Sequence, residues 1–145
     1  MISVVIPTLN AERTLVHCLA ALVTAVVQGL VQEAIVVDGG STDETRLIAE
    51  GAGTHLIQTA AGRGSQLGAG AASARGEWLL FLHADTVLEP AWAEEARNFI
   101  DRIQNGRRNQ AAAYFRFALD DDGLMPRLVE WLVAMRCRVL ALPYG

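Results

Sequence analysis

Three short runs of this chain are almost uninterruptedly apolar, and each stops abruptly at polar residues. They are Ile2-Ser3-Val4-Val5-Ile6-Pro7, Ala34-Ile35-Val36-Val37-Asp38 and Trp78-Leu79-Leu80-Phe81-Leu82. A strand with one solvated face alternates apolar and polar residues. A continuous run instead demands burial on both faces, which a parallel sheet between two layers of helices provides.

The intervening stretches read as helices. One is expected from about Ala11 to Ala25, and a second opens at Ser41, where Glu44 three residues later completes a capping box, and runs to about Glu50 before Gly51 and Gly53. Thr54 to Gln58 reads as a short strand, and Gly62-Arg63-Gly64-Ser65 leads into a small-residue helix ending near Ala74. Pro90 suits the first turn of a helix to about Gln104. A strand from about Ala112 to Leu119, a turn at Asp120-Asp121-Asp122-Gly123 and a helix from Pro126 to Leu142 complete the pattern. Strands alternating with helices predict one α/β domain over 1–145, an α/β/α sandwich with a mostly parallel sheet.

Composition narrows the function. The 145 residues are 52% hydrophobic with a net charge of -4, and the isoelectric point near 5.3 argues against a nucleic-acid binder, which carries a basic face. All twelve basic residues are Arg, which excludes lysine Schiff-base or P-loop chemistry. Cys18 and Cys137 sit inside apolar helical patterns and read as buried free thiols of a reducing compartment. The chain begins directly with a strand, without the basic and apolar regions of a secretory signal. The longest apolar run, Leu15 to Val27, is too short to span a membrane. A cytoplasmic protein is expected.

In open parallel sheets, ligands bind beyond the carboxyl ends of the strands. Thr8 and Asn10, Asp38, and His83 with Asp85 occupy those places. A carboxylate at Asp38 accepts from a ribose hydroxyl or a base N–H, or simply caps its turn. Asp85, with an imidazole two residues away, suits a divalent cation bridging two phosphates, or caps the turn before Thr86. Arg63, flanked by glycines at a helix start, is placed for an anionic group, although a plain loop has the same composition. Asp120 to Asp122 reads as a solvated turn, His17 and His55 as structural, and Trp92 and Trp131 as core or interface.

Taken together, these segments are more specific than their parts. Ser3-Val4-Val5-Ile6-Pro7-Thr8-Leu9-Asn10, Val36-Val37-Asp38-Gly39-Gly40-Ser41-Thr42-Asp43-Glu44-Thr45, Gly62-Arg63-Gly64 through Ala74-Arg75-Gly76, and Phe81-Leu82-His83-Ala84-Asp85-Thr86 closely resemble family 2 glycosyltransferases in order and spacing. The resemblance implies the GT-A fold and inverting transfer of a sugar from a nucleotide diphosphate sugar, a UDP-sugar above all, to a hydroxyl acceptor. It implies that Pro7 and Thr8 line the base pocket, Asp38 contacts the nucleoside, and Arg63 lies near the phosphates. Asp85 would be the metal-binding end of the Asp-any-Asp signature, with Mn or Mg as the cation. His83 replaces the first Asp of that signature, which puts the contact usually made to ribose in doubt, and an imidazole ligand would favour Mn.

The His-Ala-Asp-Thr variant with Gly-Arg-Gly-Ser-Gln is similar to a bacterial subgroup labelled as arsenosugar-biosynthesis glycosyltransferases. The family also needs a general base to take the acceptor proton. By the resemblance that carboxylate follows a Leu-Pro-Tyr-Gly ending, beyond Gly145, so the sequence reads as truncated and no catalytic residue is identified in it. An inactive nucleotide-binding fragment is one alternative. A nucleotidyltransferase is another, disfavoured because Pro7-Thr8-Leu9-Asn10 stands where a basic glycine-rich loop would be. The last helix, with Trp131, Arg136 and Arg138, is expected to pack on further protein or a second subunit in a homodimer, ahead of a peripheral membrane surface.

Overall fold

The computed structural model describes residues 1–106, 111–115, 118 and 124–140, the side chains of 124 and 136–140 excepted. Four strands, β1 (Ile2–Thr8), β2 (Val31–Asp38), β3 (His55–Gln58) and β4 (Trp78–Phe81), form one sheet in the order β3-β2-β1-β4. All three pairings are parallel. The helices of this part are α1 (Leu15–Ala20), α2 (Val23–Val27), α3 (Thr45–Gly51), α4 (Arg63–Ser73) and α5 (Trp92–Asn105).

The period-two alternation of the strands sorts their side chains between two apolar layers. Val4, Ile6 and Val36 face Leu15, Cys18, Leu22, Ala25, Ala49 and Trp92, from α1, α2, α3, α5 and the turn between α1 and α2. Val5, Ile35 and Val37 face the opposite way, towards Leu67 and Ala69 of α4. All six strand residues are 0% exposed, which explains why β1 and β2 read as unbroken apolar runs. On the α4 side the layers lie very close: a Cβ on Gly70 would fall 2.3 Å from Val5 Cγ1. Only glycine lets the helix backbone sit there.

Pro7 is tolerated in a central strand for a positional reason. Pairing with β4 ends at Val5 opposite Phe81, while pairing with β2 continues to Thr8 opposite Asp38. The N–H that Pro7 lacks therefore costs little on its β4 side.

Several boundaries differ from the sequence expectation. The helix expected over Ala11 to Ala25 is two helices. Trp92 Nε1–H donates to the Ala21 carbonyl at 3.1 Å, and the Leu22 N–H turns back to Leu19 O, which interrupts the ladder. The capping box at Ser41 and Glu44 does not form: α3 begins at Thr45, whose N–H is received by Asp43 Oδ1 at 3.0 Å. Among the described residues of the strand expected at 112–119, 112–115 and 118 are not in a strand. The Asp120 to Asp122 turn, the Cys137 side chain and the last residues of the chain lie outside the described residues.

The contacts of the chain divide it into units Met1–Arg102 and Ile103–Gly145. In the second unit the chief element is α6 (Leu124–Leu140). It carries an Arg127–Glu130 ion pair at 3.5 Å. Met125, Leu128, Trp131 and Leu132 are exposed on it, so the core alternative for Trp131 does not hold. Trp92, by contrast, is a core residue, and Cys18 is a buried free thiol.

The amino edge of the sheet is held by polar contacts. Glu33 accepts from Ser3 Oγ at 2.7 Å, from the Arg75 N–H at 2.8 Å and from Arg75 Nε and Nη2 at 3.0 and 2.8 Å. Burial acts to raise this carboxyl, but the bonds from Arg75 and Ser3 outweigh it and hold the pKa at about 2. A carboxyl depressed in the fold stabilises it fully above the ordinary value of 4.5 and loses that contribution as pH falls towards about 2. Glu33→Gln is therefore expected to lower the unfolding temperature at pH 7 and to flatten its decline across that acid window. A decline as steep as wild type would show that other groups set it.

Candidate nucleotide and metal site

The strand order reverses at β1, with β2 on one side and β4 on the other, and in open parallel sheets such a switch point is where ligands bind, beyond the carboxyl ends of the strands. Into this edge run Pro7 and Thr8 from β1, Asp38 from β2, and the loop carrying His83 and Asp85 that follows β4. Arg63 opens α4, which packs on β1 and β2. The fold thus brings the candidate ligand-binding residues Pro7, Thr8, Asn10, Asp38, Arg63, His83 and Asp85 to the carboxyl edge of one sheet.

Asp38 is 1% exposed, and its carboxylate is fully engaged by the protein. Oδ2 accepts the N–H groups of Gly40 and Ser41 at 3.1 and 3.0 Å. Oδ1 accepts the Ser41 hydroxyl at short range and faces Thr8 Oγ1 at 3.4 Å. This is the turn-capping arrangement left open by the sequence. Gly40, at φ +98°, supplies the backbone bend that brings both N–H groups round to one oxygen.

The same loop is tied to the end of β1. Asn10 adopts a left-handed conformation, φ +52°, which Asn tolerates better than most residues. Its N–H donates to Ser41 Oγ at 2.8 Å, and its Oδ1 accepts the Thr42 N–H at 2.9 Å. Ala11 N–H donates to Thr45 Oγ1 at 2.7 Å, and Glu12 N–H to Asp43 Oδ2 at 3.1 Å. Slight desolvation acts to raise the Asp43 carboxyl, but hydrogen bonds from Thr45 and Glu12 hold it below its ordinary value.

Asp85 differs in kind. It is exposed, and no hydrogen bond or ion pair engages its carboxylate among the described residues. His83 is exposed as well, with its carbonyl accepting the Thr86 N–H at 3.1 Å and the Cys18 thiol at 3.5 Å. Burial pushes the Cys18 thiol up to about 12, and the charge of Asp85 adds to the effect. The loop is therefore anchored underneath and open above. Among the described residues no cluster of three or more His, Cys, Asp or Glu gathers as a metal cage. One carboxylate without a protein partner among the described residues, two residues from an exposed imidazole, fits a divalent cation whose other ligands are phosphate oxygens and water. Arg63 is likewise exposed, and its guanidinium has no ion pair among the described residues.

Two contributors were not anticipated from the sequence. Ser41 was taken for a helix cap and instead links Asp38 to Asn10. Gln66, 5% exposed, donates from Nε2 to the carbonyls of Thr8 and Val37 at 2.9 and 2.8 Å. Its signal was present: it shares a helical face with buried Gly70, where an apolar residue would be expected.

The family profile described as Glycosyl transferase family 2 matches residues 3–132. The chain belongs to glycosyl transferase family 2. The solved structure of Staphylococcus aureus TarS 1–349 aligns with a TM-score of 0.60 at 27% identity, covering 71% of this chain and 33% of that one. The Mycobacterium tuberculosis glucosyl-3-phosphoglycerate synthase, solved with Mn2+, UDP and glucosyl-3-phosphoglycerate, aligns with a TM-score of 0.57 at 31% identity, covering 65% and 37%. The synthase of that name from Mycolicibacterium smegmatis is 35% identical over 95 residues, 59% of this chain and 31% of the relative. These family 2 likenesses establish the GT-A fold. The chain spans about a third of the length of these relatives.

The Asn10 geometry is directly testable. Asn10→Ala loses both the αL tolerance and the Thr42 bond, and is expected to destabilise the family 2 fold by about 1–3 kcal/mol. Asn10→Gly restores only the backbone freedom and should cost less. Equal midpoints in urea for the two variants would show that the backbone conformation carries no strain.

Proposed function

We propose that the Met1–Arg102 unit binds the donor of an inverting glycosyl transfer, a nucleoside diphosphate sugar of the UDP type, together with Mn or Mg. The observation that carries this is the pairing of an engaged loop with a free carboxylate at one sheet edge. Thr8, Asn10, Asp38 and Ser41 form a rigid wall, while Asp85 and Arg63 stand free of protein partners among the described residues. The relatives support the choice of ligand, since the M. tuberculosis synthase is known with UDP and Mg2+ and with UDP-glucose and Mn2+.

In this proposal Pro7 and Thr8 line the base pocket and Asp38 receives the nucleoside. Its oxygens are already occupied, so a nucleoside N–H or O–H must replace a protein donor, and the 3.4 Å approach of Thr8 Oγ1 is the weakest to displace. Arg63 and the amino end of α4 face the diphosphate, where a guanidinium and unpaired N–H groups favour negative charge. Asp85, with His83 two residues away, holds the cation, which when bound neutralises charge on the departing diphosphate. The acceptor hydroxyl forms its bond to the anomeric carbon as the bond to the diphosphate oxygen breaks, and its proton passes to a base. The residues described here serve the donor side of that exchange.

No helix among the described residues is long and apolar enough to cross a membrane. The exposed apolar residues of α6 support an interface role for that helix, a second subunit being proposed ahead of a membrane surface. A cytoplasmic setting is part of the same proposal.

Calorimetric titration of UDP tests the donor site. Binding is expected to require Mn or Mg, and Asp85→Ala is expected to weaken the metal-dependent affinity roughly tenfold or more, about 1.4 kcal/mol. UDP that binds equally well without metal and to the variant would remove Asp85 from the site.

A further inference from the structure

Gln66 lies in the first turn of α4 and joins three backbone segments. Its Nε2 donates to Thr8 O at 2.9 Å, at the end of β1, and to Val37 O at 2.8 Å, one residue before Asp38. Its Oε1 accepts the Gly62 N–H at 3.4 Å, immediately before Arg63. The space it occupies is kept open by Gly39: a Cβ there would lie 3.1 Å from Nε2.

We propose that Gln66 is a positioning residue that sets the separation between the nucleoside end and the diphosphate end of the donor site. The proposal rests on the donor-site reading above. Thr8 and Asp38 belong to the first end and Arg63 to the second, and Gln66 bonds to the backbone of both. The body of α4 is docked independently, through Leu67, Ala69 and Gly70 against Val5 and Val37. Loss of the amide therefore leaves the helix in place and releases only its first turn, with Arg63 on it. Two carbonyl acceptors face the side chain, so the amide must donate, and an ionised carboxylate of the same shape cannot.

A ligand that spans both ends depends on their separation, whereas a ligand that uses one end does not. UDP is of the first kind, and uridine and inorganic pyrophosphate with Mn are of the second. The test compares these three probes by titration monitored by NMR, using the full chain as wild type, Gln66→Glu and Gln66→Leu, with thermal unfolding measured in parallel. Two variants are used so that a folding failure in one leaves the other. UDP affinity is expected to fall roughly tenfold while uridine and pyrophosphate change by about twofold or less. Unchanged UDP affinity in a folded variant would overturn the proposal, as would parallel weakening of all three probes, the mark of a purely structural residue. Wild type that binds no UDP would instead remove the donor-site reading, and this proposal with it.

Discussion

Burial of β1 and β2 on both faces is the constraint from which the rest of the molecule follows. With Val4, Val5, Ile6, Ile35, Val36 and Val37 fully enclosed, neither strand has a face on which chemistry can sit. Polar side chains must collect where the strands stop. At the amino edge they staple the fold, through Ser3, Glu33 and Arg75. At the carboxyl edge they form the proposed donor site. The two ends of one sheet thus carry separate polar networks, and a substitution in one need not disturb the other.

The carboxyl edge is itself divided. Both Asp38 carboxylate oxygens are hydrogen-bonded, and Ser41, Thr42 and Asn10 tie the loop after β2 to the loop after β1. A preorganised wall reduces the ordering cost of binding. Asp85 and Arg63 are left without such bonds among the described residues, which is the state expected of groups that meet a metal ion and a phosphate. Beside α3 an open concavity is lined by Asp43, Glu44, Arg46, Leu47, Glu50 and Gln58. Three of its six lining residues are acidic and one is basic, which suits a diphosphate poorly, and the switch point between β1 and β4 is the better candidate for that reason.

The parts of this architecture legible in the sequence are those dictated by local pattern. The runs around Val4 and Val36 gave strands because two-sided burial leaves an unmistakable composition. The run around Leu80 also gave a strand, but β4 lies at the sheet edge with Leu79 and Phe81 exposed, so the two-sided burial expected of it does not hold. The small-residue stretch after Gly62 gave α4, where Gly70 lets the helix approach Val5. What stayed hidden depended on partners distant in the chain. Trp92 breaks the first helix by bonding Ala21, and Asp38 and Asn10 claim the Ser41 hydroxyl that a capping box would have used. A strand pattern at 112–119 was not sufficient at 112–115 or 118, because a strand is stabilised by its neighbours rather than by its own propensity. Family resemblance reached the right family, and family membership together with topology places the expected residues at one edge.

The most direct measurement is paramagnetic broadening of backbone amide signals on adding Mn together with UDP. If the site lies at the β1–β4 switch point, broadening is strongest at His83, Ala84, Asp85 and Thr86 and extends to Gly62 and Arg63. Broadening centred instead on Asp43, Glu44 and Glu50 would place the metal in the acidic concavity beside α3 and contradict the assignment.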